Sequence, residues 1–153
     1  MRRIVTGHNA DGKSIITIDG PPSRSIGEDV GGLFELWNTN GDKVKTLDSF
    51  DRANTEILLS PSEGGTKFRY FQINPTPKGV SKKDLDAAAH EAFKKMGADH
   101  HRVDVSRHHA MHKTKTIDYI ILLKGYVSLI LDEEEIEVKP HDVVVQRGTN
   151  HAW

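Results

Sequence analysis

The sequence predicts an all-β sandwich or barrel with one helix. Short runs rich in β-branched and aromatic residues recur at spacings of roughly 8–12 residues, with turn-forming residues between them. A single segment has the apolar period of about 3.6 residues that is typical of a helix. At 153 residues, the chain has the length of one domain with one hydrophobic core.

The first half of the chain is predicted to form strands. The runs RRIVTGHN and SIITIDG flank the turn sequence ADGK, and GGLFELWNT is a further strand entered through a glycine pair. Residues 49–75 predict two more strands, joined by a turn that contains proline, serine and glycine. Residues 1–80 are therefore expected to contribute only strands and turns.

Residues 81–97, SKKDLDAAAHEAFKKMG, predict the helix. Ser81 can cap its N-terminus, Asp84 occupies the capping-box position, and Gly97 suits the C-terminal stop. Six apolar residues repeat at helical spacing: Leu85, Ala88, Ala89, Ala92, Phe93 and Met96. We expect this alanine-rich face to pack against the outside of the β-structure rather than to bind a ligand.

The last third predicts four strands in two pairs. DYIILLKGYVSLILD contains two strands around a turn at Lys124 and Gly125. EEIEVKPHDVVVQRGTNHAW contains two more, on either side of a turn that begins at Lys139 and Pro140.

Composition excludes several classes of function. A formal net charge of −1 gives no electrostatic reason to expect a nucleic acid or an anionic membrane as partner. The absence of cysteine excludes disulfides, thiolate metal sites and thiol nucleophiles. The two N-terminal arginines precede no apolar signal-peptide core, and the longest apolar run is interrupted by polar residues. We therefore expect a soluble, cytoplasmic protein.

Three of the nine histidines lie in the segment SRHHAMHKTKTIDY. If residues 112–118 formed one strand, His112 and Asp118 would share a face but lie roughly 20 Å apart. Ligands of one metal must approach the ion to within about 2.0–2.2 Å. The two residues can therefore share a metal only if the chain reverses between them. KTKT is not a strong turn sequence, so the residues alone leave this open.

This segment resembles the first motif of the cupin family. That motif runs His-x-His, three or four residues, glutamate, six residues and glycine. Asp118, six residues and then Gly125 match its second part, and His112 takes the place of its first histidine. Thr114 stands where the second histidine is expected. In cupins the two halves of the motif lie on neighbouring strands, which implies the required reversal.

The segment HDVVVQRGTNH resembles the second cupin motif, with Gln146, Gly148 and His151 in its proline, glycine and histidine places. The segments HKTKTIDY and RGTNHAW are similar to the corresponding segments of a subgroup of small bacterial and fungal cupin-domain proteins. Direct motif matches cover about residues 108–153.

The resemblance implies one cupin domain over residues 1–153. Its fold would be the double-stranded β-helix, or jelly-roll barrel, with one peripheral helix. Cupins usually continue for one or more strands beyond the position of Trp153, so the C-terminal strands are expected to be truncated or supplied by another chain. Cupins are often homodimers, and we expect the same here.

The resemblance also implies a metal site formed by His112, Asp118 and His151. Two imidazoles and one carboxylate suit Fe²⁺ or Zn²⁺, and Mn²⁺, Ni²⁺ or Co²⁺ are acceptable. The alternative is that the histidines are loop residues and the aspartate is a strand-end cap. His108 matches the first histidine of the subgroup and is the candidate catalytic proton carrier or a fourth ligand. A solvated loop histidine is its alternative.

Four further residues are candidates for substrate binding. Arg69 can bind an anionic group through two hydrogen bonds, although an exposed strand arginine is equally consistent with the sequence. Trp37, Tyr119 and Gln146 can shape the cavity, although large aromatic side chains in a β-barrel are more often part of the core.

The predicted function is that of a metal-dependent enzyme acting on a small phenolic, keto or carboxylic substrate. The cupin fold carries both dioxygenases and redox-neutral lyases, isomerases and decarboxylases, so the reaction type stays open. The alternative is a non-catalytic cupin that binds a metal or small ligand as a sensor or storage module.

Overall fold

A computed structural model describes residues 1–43, 46–47 and 50–153. Within these residues, ten β-strands, one α-helix and two short 3-10 helices are present. The predicted mostly-β fold with one helix is therefore confirmed. The chain divides into two compact units, residues 1–75 and 76–153, and each is described by itself. The single cupin domain over both units stays a prediction.

The N-terminal unit contains five strands and a 3-10 helix at Glu28–Val30. The first two strands pair in an antiparallel hairpin, and the other three form an antiparallel sheet in the order β3-β4-β5. Gly12 has a φ of 74° in the hairpin turn, a conformation that glycine adopts without a steric penalty. The strands are β1 (Arg3–His8), β2 (Ser14–Gly20), β3 (Arg24–Ile26), β4 (Gly31–Asn40) and β5 (Gly65–Ile73).

The prediction of two strands within residues 49–75 is wrong for the first of them. The second predicted strand is β5, whereas the described residues between 50 and 64 contain no strand. The carbonyls of Leu58 and Leu59 instead accept hydrogen bonds from the guanidinium of Arg69. A side chain therefore satisfies backbone groups that a neighbouring strand would otherwise pair. Residue 49 lies outside the described residues.

The C-terminal unit begins with the helix and ends with five strands whose pairing is nested. β6 pairs with β9 and β7 pairs with β8, both antiparallel, and the short β10 adds to β7. A long hairpin formed by β6–β9 gives this nested order. The described strands of the chain form four separate sheets and no closed barrel. The elements are α1 (Lys82–Lys95), a 3-10 helix (Asp99–His101), β6 (Ile117–Ile121), β7 (Val127–Leu131), β8 (Glu135–Val138), β9 (Val143–Arg147) and β10 (His151–Ala152).

The helix α1 has the caps that its sequence predicts. The Ser81 hydroxyl accepts a hydrogen bond from the backbone N–H of Asp84 at 3.1 Å. At the other end, Gly97 adopts a left-handed φ of 62°. Phe93 is the buried residue of the predicted apolar face. The predicted start and end of this helix are therefore confirmed to within two residues.

Substitution of Ser81 by alanine tests the cap. Because the N–H of Asp84 then loses its acceptor, we expect a loss of about 1 kcal/mol in the free energy of unfolding. Urea denaturation followed by circular dichroism measures it. Ser81→Thr keeps a hydroxyl at the same place and should lose less than half as much. Equal losses in both variants would contradict a capping role.

The two faces of the β6–β9 ladder differ in burial. Asp118 pairs with Gln146 across the ladder, and Ile120 pairs with Val144. These four side chains are buried or half-buried, whereas their neighbours along each strand are exposed. Cross-strand partners point to the same side of a sheet, so Asp118 and Gln146 share the inner face.

In the described part of the chain, no helix is long and apolar enough to span a membrane.

Candidate functional site

The candidate site is built around two histidines that the backbone holds side by side. His112 and His151 form an isolated antiparallel bridge in which each N–H donates to the other residue's carbonyl, both at 2.9 Å. The ring centroids lie 4.3 Å apart, with 46° between the ring planes. The C-terminal strand thus brings together two imidazoles that are far apart in the sequence.

Both rings make the same hydrogen bond to the backbone two residues earlier. Nδ1 of His112 lies 3.0 Å from the carbonyl oxygen of Ala110, and Nδ1 of His151 lies 3.0 Å from that of Thr149. A carbonyl only accepts, so each Nδ1 carries the hydrogen and each Nε2 keeps its lone pair. No hydrogen bond among the described residues uses either Nε2. This tautomer is the one that leaves Nε2 ready to bind a metal.

Burial keeps both imidazoles neutral at neutral pH. The pKa of His112 is lowered from 6.5 to about 4, first by burial and then by the adjacent His151. The pKa of His151, which is only 3% exposed, is also lowered by burial. Asp118 acts in the opposite direction on both rings. Neutral imidazoles are the form in which histidine binds metals.

Aromatic side chains pack against the outer sides of the pair. The ring of Phe93, from α1, lies 4.8 Å from that of His112. The ring of Trp153 meets that of His151 edge-on at 6.0 Å. Both contacts exclude water from the imidazoles, which explains the low pKa values of the two histidines.

The structure brings together two of the three predicted metal ligands. The chain bends at Lys115 and Thr116, so His112 bridges to β10 while Asp118 lies on β6, in the other sheet of the unit. Asp118 is half-buried and faces inward. Among the residues that the structure describes, no three histidine, aspartate or glutamate side chains form a group that could hold an ion. The two imidazoles therefore lie together, whereas Asp118, the third predicted ligand, is not grouped with them.

Gln146 is the cross-strand partner of Asp118 and is hydrogen-bonded to Thr149, two residues before His151. It is 3% exposed, and its amide nitrogen donates to the hydroxyl of Thr149 and to the Thr149 carbonyl, the latter at 3.3 Å. The same carbonyl accepts from Nδ1 of His151. Gln146 thus supports the backbone group that fixes the tautomer of His151. Its predicted contact with substrate stays a prediction.

An open hollow of about 330 Å³ lies beside Gln146, between β7 and β9. Its walls are mostly aliphatic, which suits the carbon skeleton of a small organic molecule. The lining residues are Leu129, Leu131, Val144, Val145, Gln146, Arg147 and Thr149.

His108 differs from the imidazole pair in its hydrogen bonding. Its Nδ1 accepts from the backbone N–H of Ala110 at 3.2 Å, so the hydrogen of the neutral ring is on Nε2. The ring is half-buried and lies 4.0 Å from that of His109, and burial lowers its pKa. In this tautomer Nε2 can donate a hydrogen bond, whereas donating a proton requires the imidazolium form. The proton-carrier role of His108 stays a prediction.

Of the other three predicted substrate-binding residues, two belong to the N-terminal unit and one lies on β6. Arg69, in the N-terminal unit, donates from Nε and Nη2 to the Glu35 carboxylate at 2.9 and 2.6 Å. Trp37 is half-buried and pairs with Phe68 in the same sheet. Tyr119 is 78% exposed, on the opposite face of β6 from Asp118. Their roles in binding stay predictions.

Sequence reasoning did not find Asn150, which is 6% exposed. Its amide nitrogen donates to the backbone carbonyl of Asp104 at 3.0 Å and to the carboxylate of Asp132 at 2.8 Å. It therefore ties the histidine-rich loop and the β7–β8 turn to the residue next to His151. The available signal is the position of Asn150 in RGTNHAW, directly before His151 in the segment that resembles the second motif.

No protein-family model matches the chain. Two relatives are named cupin-domain-containing oxidoreductases: fogC of Aspergillus ruber, 26% identical over 99% of this chain and 62% of its own length, and virC of Hypocrea virens, 25% identical over 99% and 65%. With the mostly-β fold, they support assignment to the cupin family and suggest a cupin-type enzyme.

A third relative is more similar. The phomopsin biosynthesis cluster protein D of Diaporthe leptostromiformis is 52% identical over 99% of this chain and 68% of its own length. The chain belongs to the same family as that protein. It spans about two thirds of the length of the three relatives.

Proposed function

We propose that the chain is the metal-binding part of a cupin-type oxidoreductase that acts on a small organic substrate. The observation that carries the proposal is the pair of neutral imidazoles, His112 and His151, with both Nδ1 atoms hydrogen-bonded to backbone carbonyls. Backbone contacts of this kind orient histidine ligands in metal sites. The names of the two oxidoreductase relatives support redox chemistry.

The proposed ligand set is His112, His151 and Asp118, around one divalent transition metal. Two imidazoles and a carboxylate suit Fe²⁺, which agrees with an oxidoreductase, and Zn²⁺ is the other candidate. When bound, such a metal supplies Lewis acidity, and iron supplies redox chemistry with O₂. Asp118 already faces inward on β6, and completing the set requires it to approach the imidazoles.

The residues of the chain supply binding and proton transfer. The aliphatic walls of the hollow are the proposed contact surface for the carbon skeleton of a phenolic, keto or carboxylic substrate. Gln146 lies at one side of that hollow and is the proposed polar contact, although its amide nitrogen is hydrogen-bonded to Thr149 in this structure. His108 is the proposed proton carrier: its neutral ring, with the hydrogen on Nε2, would first accept a proton to become the imidazolium and then donate it.

Metal content tests this proposal directly. Protein purified anaerobically with Fe²⁺ or Zn²⁺ should hold about one ion per chain, and His112→Ala or His151→Ala should lower this by at least tenfold, because each removes a ligand. His8→Ala, at an exposed position in β1, is the matched control and should keep its metal. Elemental analysis after dialysis gives the ratio.

Two outcomes would contradict the metal proposal: less than a tenth of an ion per chain in the unmodified protein, or unchanged metal content in both histidine variants. Oxygen consumption with phenolic and keto-acid substrates then tests the reaction. Consumption that depends on bound iron supports an oxygenase. Substrate turnover without oxygen uptake supports a lyase or isomerase, and ligand binding without turnover supports the non-catalytic alternative.

A further inference from the structure

The histidine-rich segment is a closed loop whose two ends meet. The N–H of Lys113 donates to the carbonyl of His101 at 2.9 Å, so residues 102–112 leave and return to the same place. Met111, 1% exposed, anchors the inside of the loop. Compact loops of this kind, packed by their own side chains, are often functional. His112 is the last residue of the loop, so the loop determines how its ring is presented.

Arg102, the first residue of the loop, reaches across it. Its side chain is 8% exposed, and Nη2 donates to the Asp86 carboxylate of α1 at 2.5 Å and to the backbone carbonyl of His109 at 2.9 Å. Nη1 lies 3.4 Å from Nδ1 of His90, also on α1. One guanidinium thus connects the helix, the start of the loop and the turn before His112.

The contacts of Arg102 leave one of its own donors unsatisfied. Its Nε is buried and has no hydrogen-bond partner among the described residues. The contacts of this buried guanidinium therefore come from its terminal nitrogens, Nη1 and Nη2.

The carbonyl held by Arg102 is next to the one that orients His112. Within the same turn, the N–H of Met111 donates to the His108 carbonyl at 3.0 Å. With the His109 carbonyl directed at Arg102, the next peptide unit directs the Ala110 carbonyl at Nδ1 of His112, 3.0 Å away. If this turn loosens, Nδ1 loses its acceptor and the ring is free to carry its hydrogen on either nitrogen.

We infer that Arg102 is a positioning residue that fixes the Nδ1–H tautomer of His112 through the carbonyls of the 108–110 turn. The inference rests on the proposed function for its consequence, which is that Nε2 of His112 stays available to a metal. Outer contacts of this kind typically change metal affinity by about 10- to 100-fold. The tautomer itself can be observed in the metal-free protein, so the inference can be tested separately from metal binding.

The test compares Arg102→Met with Arg107→Met. Arg107 lies in the same loop, but its guanidinium donates to the carbonyls of Leu131 and Glu134 at the β7–β8 turn and not to those of the 108–110 turn. Two-bond ¹H–¹⁵N spectra of the imidazoles at pH 7.5, in metal-free protein, report which nitrogen carries the hydrogen. We expect His112 and His151 to be Nδ1–H in the unmodified protein and in Arg107→Met. In Arg102→Met, His112 should become a mixture of tautomers while His151 stays unchanged.

A folded Arg102→Met protein in which His112 remains fully Nδ1–H would overturn the inference. Should that variant fail to fold, Arg102→Lys decides, because an ammonium keeps the charge near Asp86 but lacks the planar fork that also reaches the His109 carbonyl. It should show the same mixture of tautomers, and an unchanged tautomer there would equally overturn the inference. Titration with Zn²⁺ should then show about tenfold weaker binding in the Arg102 variant only. Failure of the unmodified protein to bind Zn²⁺ would instead count against the proposed function.

Discussion

Replacement of Arg69 by methionine is expected to lower the free energy of unfolding of the N-terminal unit by about 3–5 kcal/mol. Glu35 is completely buried, and Arg69 provides two of its hydrogen bonds. Lys67 makes a single contact with Glu35, between Nζ and a carboxylate oxygen 3.4 Å away. Because burial also lowers the pKa of the Lys67 amine, we expect it not to replace the guanidinium. Removing Arg69 therefore leaves a buried carboxylate without its main partner. Urea denaturation measures the loss.

Two further variants identify the cause of that loss. Arg2→Met breaks an ion pair with Asp19 whose side chains are 67% and 43% exposed, and it should leave the stability almost unchanged because solvent screens the pair. The double variant Glu35→Leu/Arg69→Met removes both charges and should recover most of the stability. A stable Arg69→Met protein with weakened substrate binding would instead support the substrate-binding role that the sequence predicts for this arginine.

The sequence predicts the elements whose signals are local. Ser81, Asp84 and Gly97 mark the ends of α1 because capping depends on neighbours within one turn. The turns at Lys124–Gly125 and after Lys139 separate β6 from β7 and β8 from β9 as predicted. The pairing of these strands is not local. Nothing in the spacing shows that β6 pairs with β9 rather than with the strand that follows it.

Long-range contacts explain where the sequence prediction falls short. Leu58 and Leu59 lie in a run whose composition is typical of a strand, but their carbonyls accept hydrogen bonds from the guanidinium of Arg69. Local composition cannot predict a contact with a residue so distant in the sequence. In the site, motif spacing identified His112 and His151, and the structure places their rings side by side. Spacing could not give the position of Asp118 in the other sheet, because the path of the chain around Lys115 determines it.

Acidification of the metal-free protein from pH 7 to pH 4 is expected to remove up to about 3 kcal/mol of stability through His112. Its pKa is about 4 in the folded chain against an ordinary value of 6.5, because burial and the neighbouring His151 oppose a positive charge. Between these values the unfolded chain binds more protons than the folded one, so stability rises with pH across the window and falls on acidification. At about 1.4 kcal/mol per pH unit, the whole gap corresponds to about 3.5 kcal/mol, of which about 3 kcal/mol is lost by pH 4. The lowered pKa of His151 acts in the same direction.

The slope of stability against pH, rather than stability itself, isolates the imidazole. His112→Gln removes the titrating group, so its curve should be flatter than that of the unmodified protein between pH 6.5 and 4, whatever the substitution costs in packing against Phe93. His8→Gln, at an exposed site, should leave the slope unchanged. Carboxylates protonate in the same range in all three proteins and cancel in the comparison. Parallel curves for His112→Gln and the unmodified protein would mean that His112 is hydrated or protonated in the folded state. The inference that both imidazoles are neutral would then fail, because burial is the main reason for expecting His112 to be uncharged.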